Sequence, residues 1–243
     1  MDTTQYAGFC DLNIDKMYDI NTLSFIEKQG FQTVAINTHV EEVNVEEPKK
    51  KKKKNDPKDK KDHIPPPLEI PDKVKNNTKL KILQRVTIEF SDSSICTFQY
   101  ACGTLDTDVI TFDPLTRIPF KVSRKLYRQA VERGIFFEIM YSPAIRDSTS
   151  RRNIITTSHL YHAVGKSKNI IITSGAKDNT QVRGIYDVIN LGFIFGLNNN
   201  ESLEVVRNNP HRLILKAQGR RCGKHYMEVS QVGDQCENKI PKE

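Results

Sequence analysis

The sequence predicts an α/β fold of parallel strands, arranged as a TIM-like (β/α) barrel of reduced strand number. Three observations carry the prediction. Short β-rich runs alternate with segments of helical period along most of the chain. The intervals between successive runs are long enough for the crossovers that parallel neighbours require. No GxGxxG or Walker loop follows the first strand, which weighs against an open nucleotide-binding sheet.

Taken in order, the expected strands are residues 9–14, 33–37, 82–90, 108–112, 135–141, 169–174 and 212–216. The expected helices are 20–29, 122–133, 150–164, 182–196 and a short one at 200–208. The clearest helical period is in 182–196, where Gly184, Val188, Leu191, Gly192 and Phe195 fall on one face. Gly30, Gly134 and Gly165 stand where helices should stop in a left-handed cap. One domain, 1–217, is expected, interrupted at 41–78 and followed by a flexible basic tail at 218–243. The interruption holds an unbroken lysine run at 49–54 and three prolines at 65–67. Like charges repel and proline removes backbone donors, so the segment is expected to be disordered. It reads either as a solvated loop or as a basic patch for nuclear import or RNA tethering.

The 243 residues carry a formal charge of +7, which favours acidic partners such as nucleic acid. The five cysteines form no CxxC pair, so neither a disulfide framework nor a zinc site is expected, and the default compartment is a reducing one. No stretch approaches the ~20 apolar residues of a membrane span. No signal-peptide core opens the chain, and a soluble intracellular protein is expected.

The stretch "YSPAIRDSTSRRN", residues 141–153, places three arginines where a buried strand runs out into a helix. Functional groups of parallel barrels gather at such exits. Ser148, Ser150 or Asp147 can cap the helix, whose free N–H groups favour an anion. Arg146, Arg151 and Arg152 offer forks that grip phosphate bidentately, and Asp147 could instead orient one of them. A second exit supplies Lys177 and Arg183, with Asp187 one turn on as a surface ion pair or a partner contact. Arg212, Lys216, Arg220, Arg221 and Lys224 form a third basic cluster, either phosphate-binding or a solvated tail.

A metal-dependent phosphoesterase is the rival class. It needs an HxH-type pair after the first strand, and here Asp11-Leu12-Asn13 supplies asparagine where the second imidazole belongs. Asp11, Asn37 and His39 are candidate remnants of such a site, and Glu138 lies within a later strand. His159 and His162 are expected to be structural, and His63, His211 and His225 fall in linker, strand start and tail. A third class is a protein scaffold without direct RNA contact.

Four motifs carry a resemblance: "VAIN" at 34–37, "KILQRVTIEFSD" at 81–92, "YSPAIRDSTSRR" at 141–152 and "RGIYDVINLGFIFGL" at 183–197. They resemble the TIM-barrel protein subunit of archaeal and eukaryotic ribonuclease P, which eukaryotes share with ribonuclease MRP. The resemblance spans about 8–216 without the insertion. It implies a PHP-like barrel that binds RNA without catalysing, in a particle that matures the 5′ end of precursor tRNA. There the RNA does the chemistry with Mg, and the protein itself has no cofactor. The implied partners are the ribonuclease P/MRP RNA, precursor tRNA and a small α/β subunit, in the nucleus and nucleolus and away from membranes. On this reading Arg146, Ser148, Arg151, Arg152, Lys177, Arg183 and Lys216 meet RNA. Relatives carry a further helix and strand between the counterparts of Phe90 and Asp108. With 40–79 and 218–243 set aside, 177 residues remain, against more than ~200 for a usual eight-unit barrel. A seven-stranded or incomplete barrel lacking one βα repeat is therefore expected.

Overall fold

The computed structural model describes residues 8–15, 20–40, 79–88, 94–221 and 223. The expected disordered insertion 41–78 and almost all of the expected tail, with Lys224, lie outside the described residues, as do His63 and His225. The elements are β1 (Cys10–Asp15), α1 (Ile20–Lys28), β2 (Thr33–Val40), β3 (Lys81–Ile88), α2 (Ile95–Gly103), β4 (Val109–Ile110) and α3 (Arg124–Glu132). There follow β5 (Phe136–Met140), α4 (Ser142–Arg146), α5 (Ser148–Gly165), β6 (Ile170–Thr173), α6 (Ile185–Ile194), α7 (Asn199–Val206) and α8 (Asn208–Arg221). A 3₁₀ turn, Asn179–Gln181, precedes α6.

Local chemistry sets the helix starts. Ser94 and Ser123 accept hydrogen bonds from Thr97 N and Leu126 N, each at 3.3 Å. Asn198 and Glu201 form a reciprocal capping box on α7. Gly30 and Gly134 adopt φ of 99° and 70°, as expected of left-handed stops. Gly165 does not: it is the last helical residue of α5, and the left-handed position falls on Lys166, φ 51°. Its glycine serves space instead, since a Cβ there would lie 2.0 Å from the ring of Tyr127.

Every strand pair is parallel. The strands form two sheets ordered β1-β2-β3 and β4-β5-β6. A bridge between Ile14 and Ala176, with Gly175 N donating to Asn13 O at 2.9 Å, brings β1 alongside the exit of β6. No ladder joins β3 to β4 among the described residues. A register shift between Asp11 and Ile14 inserts one extra residue in β1. Leu12 joins an apolar cluster, while Asn13, its neighbour in the chain, reaches Glu138.

That cluster draws on all six strands. Cys10, Leu12, Ala35, Phe136 and Ile171 pack with Leu83 and Val109, and Leu213 and Ile214 of α8 cover them. Helix α8 is pinned across the strand-entry end by Asn209 Nδ2, which donates to Ile170 O at 2.7 Å, and by Lys216 Nζ. A larger core lies between strands and helices, with Tyr127 stacked on Phe137 at a centroid distance of 4.2 Å.

Two expectations are corrected here. Residues 212–216 are not a seventh strand but part of α8. A continuous run such as Leu213-Ile214-Leu215 does not by itself distinguish strand from buried helix, and Pro210 in the first turn suits a helix start. Six strands are therefore present among the described residues. The interval between 90 and 108 is not bare either: α2 fills it, with Phe98, Ala101 and Cys102 buried. Arg133 holds the end of α2, donating to Ala101, Cys102 and Leu105 carbonyls at 3.3, 2.9 and 2.7 Å.

Candidate nucleic-acid interface

Beyond the apolar cluster, toward the strand exits, the inward side chains turn polar. Glu138 of β5 is buried, and both its oxygens are occupied. Oε1 accepts from Arg85 Nη1 at 2.5 Å, Thr173 Oγ1 at 2.7 Å and Asn13 Nδ2 at 3.1 Å. Oε2 accepts from Arg85 Nη2 at 2.7 Å and from Thr111 Oγ1. Arg85 also donates to Leu12 O at 3.2 Å. Asn37 Nδ2 donates to Asn13 Oδ1 at 3.0 Å, and Thr87 Oγ1 donates to Asn37 Oδ1 at 2.7 Å. Burial raises the Glu138 pKa, but the Arg85 guanidinium and the hydrogen bonds outweigh it, leaving the carboxyl below the ordinary glutamate value.

This arrangement does not fit a resident metal. A divalent ion on Glu138 would have to displace a bidentate guanidinium already in place. No group of three or more His, Cys, Asp or Glu able to hold a metal occurs among the described residues. Of the three candidate remnants, Asn37 and His39 meet, Nδ2 to Nε2 at 3.3 Å. Asp11 is engaged elsewhere: its Oδ1 accepts from Ser174 N at 3.0 Å and Asn13 N at 3.3 Å. Its Oδ2 is buried with no hydrogen-bond partner among the described residues.

Burial pushes the Asp11 carboxyl up to about 6. Its folded pKa lies above the ordinary value near 4, so the native state holds more protons than the unfolded chain in between. Asp11 therefore favours the folded state below about pH 4 and erodes that advantage as pH rises through 6. Asp11→Asn is expected to stabilise the protein at pH 7, by up to roughly 3 kcal/mol, and to leave it unaltered near pH 3.5. Denaturant unfolding of both proteins at the two pH values checks this; an equal difference at each would contradict it.

The rim above the polar network is built by the exits of β5 and β6. Strand β5 leaves through Tyr141 into the short α4, then Asp147 starts α5. Of the possible caps, Asp147 is the one: its Oδ2 accepts from Ser150 N at 2.7 Å. Ser142 Oγ donates to Gln181 Oε1 at 2.7 Å, and Lys177 N donates to the same oxygen at 3.0 Å, tying the two exits together. Arg183 N donates to Tyr141 Oη at 3.1 Å.

The predicted cations divide by role. Arg146, Arg152 and Lys177 are exposed on this rim and make no ion pair among the described residues, and Ser148 is exposed in the first turn of α5. Arg151 is also exposed but closes α4, donating to Ala144 O at 2.7 Å and Ile145 O at 3.3 Å. Arg183 Nη1 donates to Thr180 O at 2.7 Å and Val182 O at 3.2 Å, and the i,i+4 ion pair with exposed Asp187 does not form. Lys216 lies at the opposite end of the strands. Its Nζ donates to Arg133 O and Gly134 O, at 3.0 and 2.9 Å, just before β5, and sits 3.6 Å from Asp108 just before β4.

His162 Nδ1 is 2.8 Å from Ser167 Oγ at the end of α5, in keeping with a structural role, and His211 sits in α8 rather than at a strand start. Arg85, with Asn13, Thr111 and Thr173, belongs to the network without standing out in the sequence. The available signal is the period of two in β3, which aims Arg85 to the same side as Leu83. A separate feature is the outer face of α6, where Tyr186, Phe193 and Ile194 are 82%, 52% and 53% exposed.

A model of the family described as RNase P subunit p30 matches residues 8–98 and 96–222, two segments that meet within α2. The chain is 30% identical over 250 residues to the ribonuclease P protein subunit p30 of Mus musculus, covering 88% of each protein. It is 32% identical over 146 residues to the probable ribonuclease P protein subunit 3 of Schizosaccharomyces pombe, covering 58% of this chain and 62% of that one. A chain from a cryo-EM structure of archaeal ribonuclease P with mature tRNA superposes with a TM-score of 0.62 at 11% identity, over 93% of this chain and all of that one. That likeness concerns the fold. Matched along nearly all of its described length, and related to the mouse subunit over most of both sequences, the chain belongs to the RNase P subunit p30 family.

Proposed function

We propose that this chain is a protein subunit of the ribonuclease P particle, and in eukaryotes of ribonuclease MRP. It binds RNA phosphates, from the particle RNA and precursor tRNA, at its strand-exit rim and leaves the cutting to RNA. One observation carries this reading: Arg146 and Arg152 at the exit of β5 and Lys177 at the exit of β6 stand exposed, while the inward carboxylate beneath is already neutralised by Arg85. Exposed cations without an ion pair attract phosphate, whereas the first-turn amides of α5 are already taken by Asp147; a carboxylate locked to arginine offers no general base and no metal ligand. The architecture proposed beneath the rim is a PHP-like (β/α) barrel with no ladder between β3 and β4 among the described residues. It is supported by side chains from all six strands meeting in one apolar cluster. A nuclear and nucleolar location, with Mg held by the particle's RNA, goes with this reading.

The test is the salt dependence of RNA binding. Binding a phosphate releases counterions, so each phosphate left without its cation reduces the log–log slope by about 0.7 on single strands and about 0.9 on duplexes. Replacing Arg146, Arg152 and Lys177 together with alanine is expected to weaken binding and flatten the slope with no change in thermal midpoint. An unaltered slope would remove the rim from RNA binding. A second, compatible role is docking of a small α/β subunit, favoured by the exposed aromatic face of α6.

A further inference from the structure

The exit of β4 carries more exposed positive charge than the rim just described. Residues 111–123 link β4 to α3 with no regular structure. A connection that long in a compact domain is uncommon and usually functional. This one is held in place. Phe112 and Phe120 pack on Phe98 with centroids 5.6 and 5.4 Å away. Asp113 closes a turn by accepting from Leu115 N at 3.0 Å and Thr116 Oγ1 at 3.2 Å. Asn153 Nδ2, in the first turns of α5, donates to Pro114 O at 3.2 Å and Leu115 O at 3.1 Å. Those two bonds fix the loop beside α5, which bears Arg151 and Arg152 in its first turns.

From this anchored loop and the helix after it project Arg117, Lys121, Arg124, Lys125 and Arg128, all exposed. Arg124 and Arg128, one turn apart, share one face of α3 and are both exposed, while Tyr127 and Ala130 are buried. The one ion pair here among the described residues is Arg128 with Glu132, at 4.0 Å and open to solvent. Such a pair is weak and easily exchanged for phosphate. No aromatic ring stands exposed among these cations, since Phe120 is half-buried and Tyr127 is buried. Single-stranded RNA is gripped by rings on which bases stack, whereas duplex RNA is recognised by backbone and shape.

We infer that the β4 exit loop and α3 form a second, separate RNA-binding surface, specific for the phosphate backbone of an RNA duplex. This rests on the RNA-binding reading above and extends it to a part of the chain that reading does not use. It is tested on the full chain with two probes, an RNA duplex and a single-stranded polyuridine of equal nucleotide length, titrated from low to moderate salt. The variant carries Arg117, Lys121, Arg124 and Lys125 replaced by alanine, beside the rim variant at Arg146, Arg152 and Lys177. All seven positions are exposed, and equal thermal midpoints establish that the variants fold; a companion with Arg→Lys at 117 and 124 keeps the charge.

The expected result is a loss of duplex affinity of roughly tenfold or more in the β4-exit variant, with a slope lower by about 0.9 for each phosphate no longer neutralised. Polyuridine binding changes little, and the lysine companion retains the duplex slope. An unchanged duplex slope in the β4-exit variant, with a flattened one in the rim variant, overturns this inference and leaves the proposed function standing. Equal losses on both probes overturn the duplex assignment. Unchanged slopes in both variants overturn the inference and the proposed function together.

Discussion

Arg85→Ala is expected to destabilise the protein by about 3–5 kcal/mol. The guanidinium donates to both oxygens of Glu138, whose side chain is fully buried, and removing it leaves an unpaired charge where water does not reach. The loss has a topological component as well. Sheets β1-β2-β3 and β4-β5-β6 share no ladder between β3 and β4 among the described residues. The Arg85–Glu138 pair, with Arg85 Nη2 also 3.4 Å from Thr111 Oγ1, links β3 of one sheet to β5 of the other with side chains instead. Glu138→Ala should be similarly severe, because the arginine is then stranded. Arg85→Met combined with Glu138→Leu should recover much of the stability, since a buried pair exchanged whole for apolar groups is often neutral. Urea unfolding of the three variants measures this. A single-site effect below about 1 kcal/mol would show that the pair does not hold the two sheets together.

Gly165→Ala is the second large effect, expected to cost about 3 kcal/mol or more. The added Cβ would fall 2.0, 2.4 and 2.5 Å from three ring carbons of Tyr127. Tyr127 cannot swing aside: its ring lies stacked on Phe137, and its hydroxyl donates to Lys168 O at 2.7 Å. Relief must come from displacing the end of α5 or opening the aromatic core. Gly103→Ala is the matched control, because a Cβ there meets only Gln129 Nε2 at 3.4 Å. That change should be neutral or stabilise slightly by trading backbone entropy for helix propensity. Equal destabilisation by both substitutions would show that the packing at Gly165 is not what constrains it.

These two positions mark the limit of what the sequence discloses. Strands β1, β2, β5 and β6 and helices α1, α5 and α6 are legible because the β-branched run Ile170-Ile171-Ile172 is short and flanked by Asn169 and Ser174-Gly175, and because the apolar face of α6 has a helical period. Helix α2 is legible in principle: Ser94 caps it, and Phe98, Ala101 and Cys102 recur at helical spacing. Its opening Ile95-Cys96-Thr97-Phe98, rich in β-branched and aromatic residues, reads as readily as a strand and obscures it. Helix α8 reads as a strand because its buried side chains, Leu213 to Leu215, are consecutive.

The rim cations can be placed at a strand exit from sequence, but their separate duties cannot. Whether Arg151 faces phosphate or a carbonyl depends on where α4 ends, which brings Ala144 O and Ile145 O within reach. Arg85 and Glu138 stand 53 residues apart, and a charge in mid-strand ordinarily reads as solvent-facing. Gly165 reads as a left-handed stop because the sequence says nothing of Tyr127, which arrives from a different helix.

The decisive measurement is affinity purification of the tagged full chain from cells of its own source, with sequencing of the RNA that comes with it. A ribonuclease P particle RNA is expected to be recovered in stoichiometric amount. The Arg146, Arg152 and Lys177 variant is expected to recover less of it as the wash salt rises. Recovery of the folded chain free of that RNA, with phosphodiester cleavage by the protein alone, would contradict an RNA-binding subunit that leaves catalysis to its RNA.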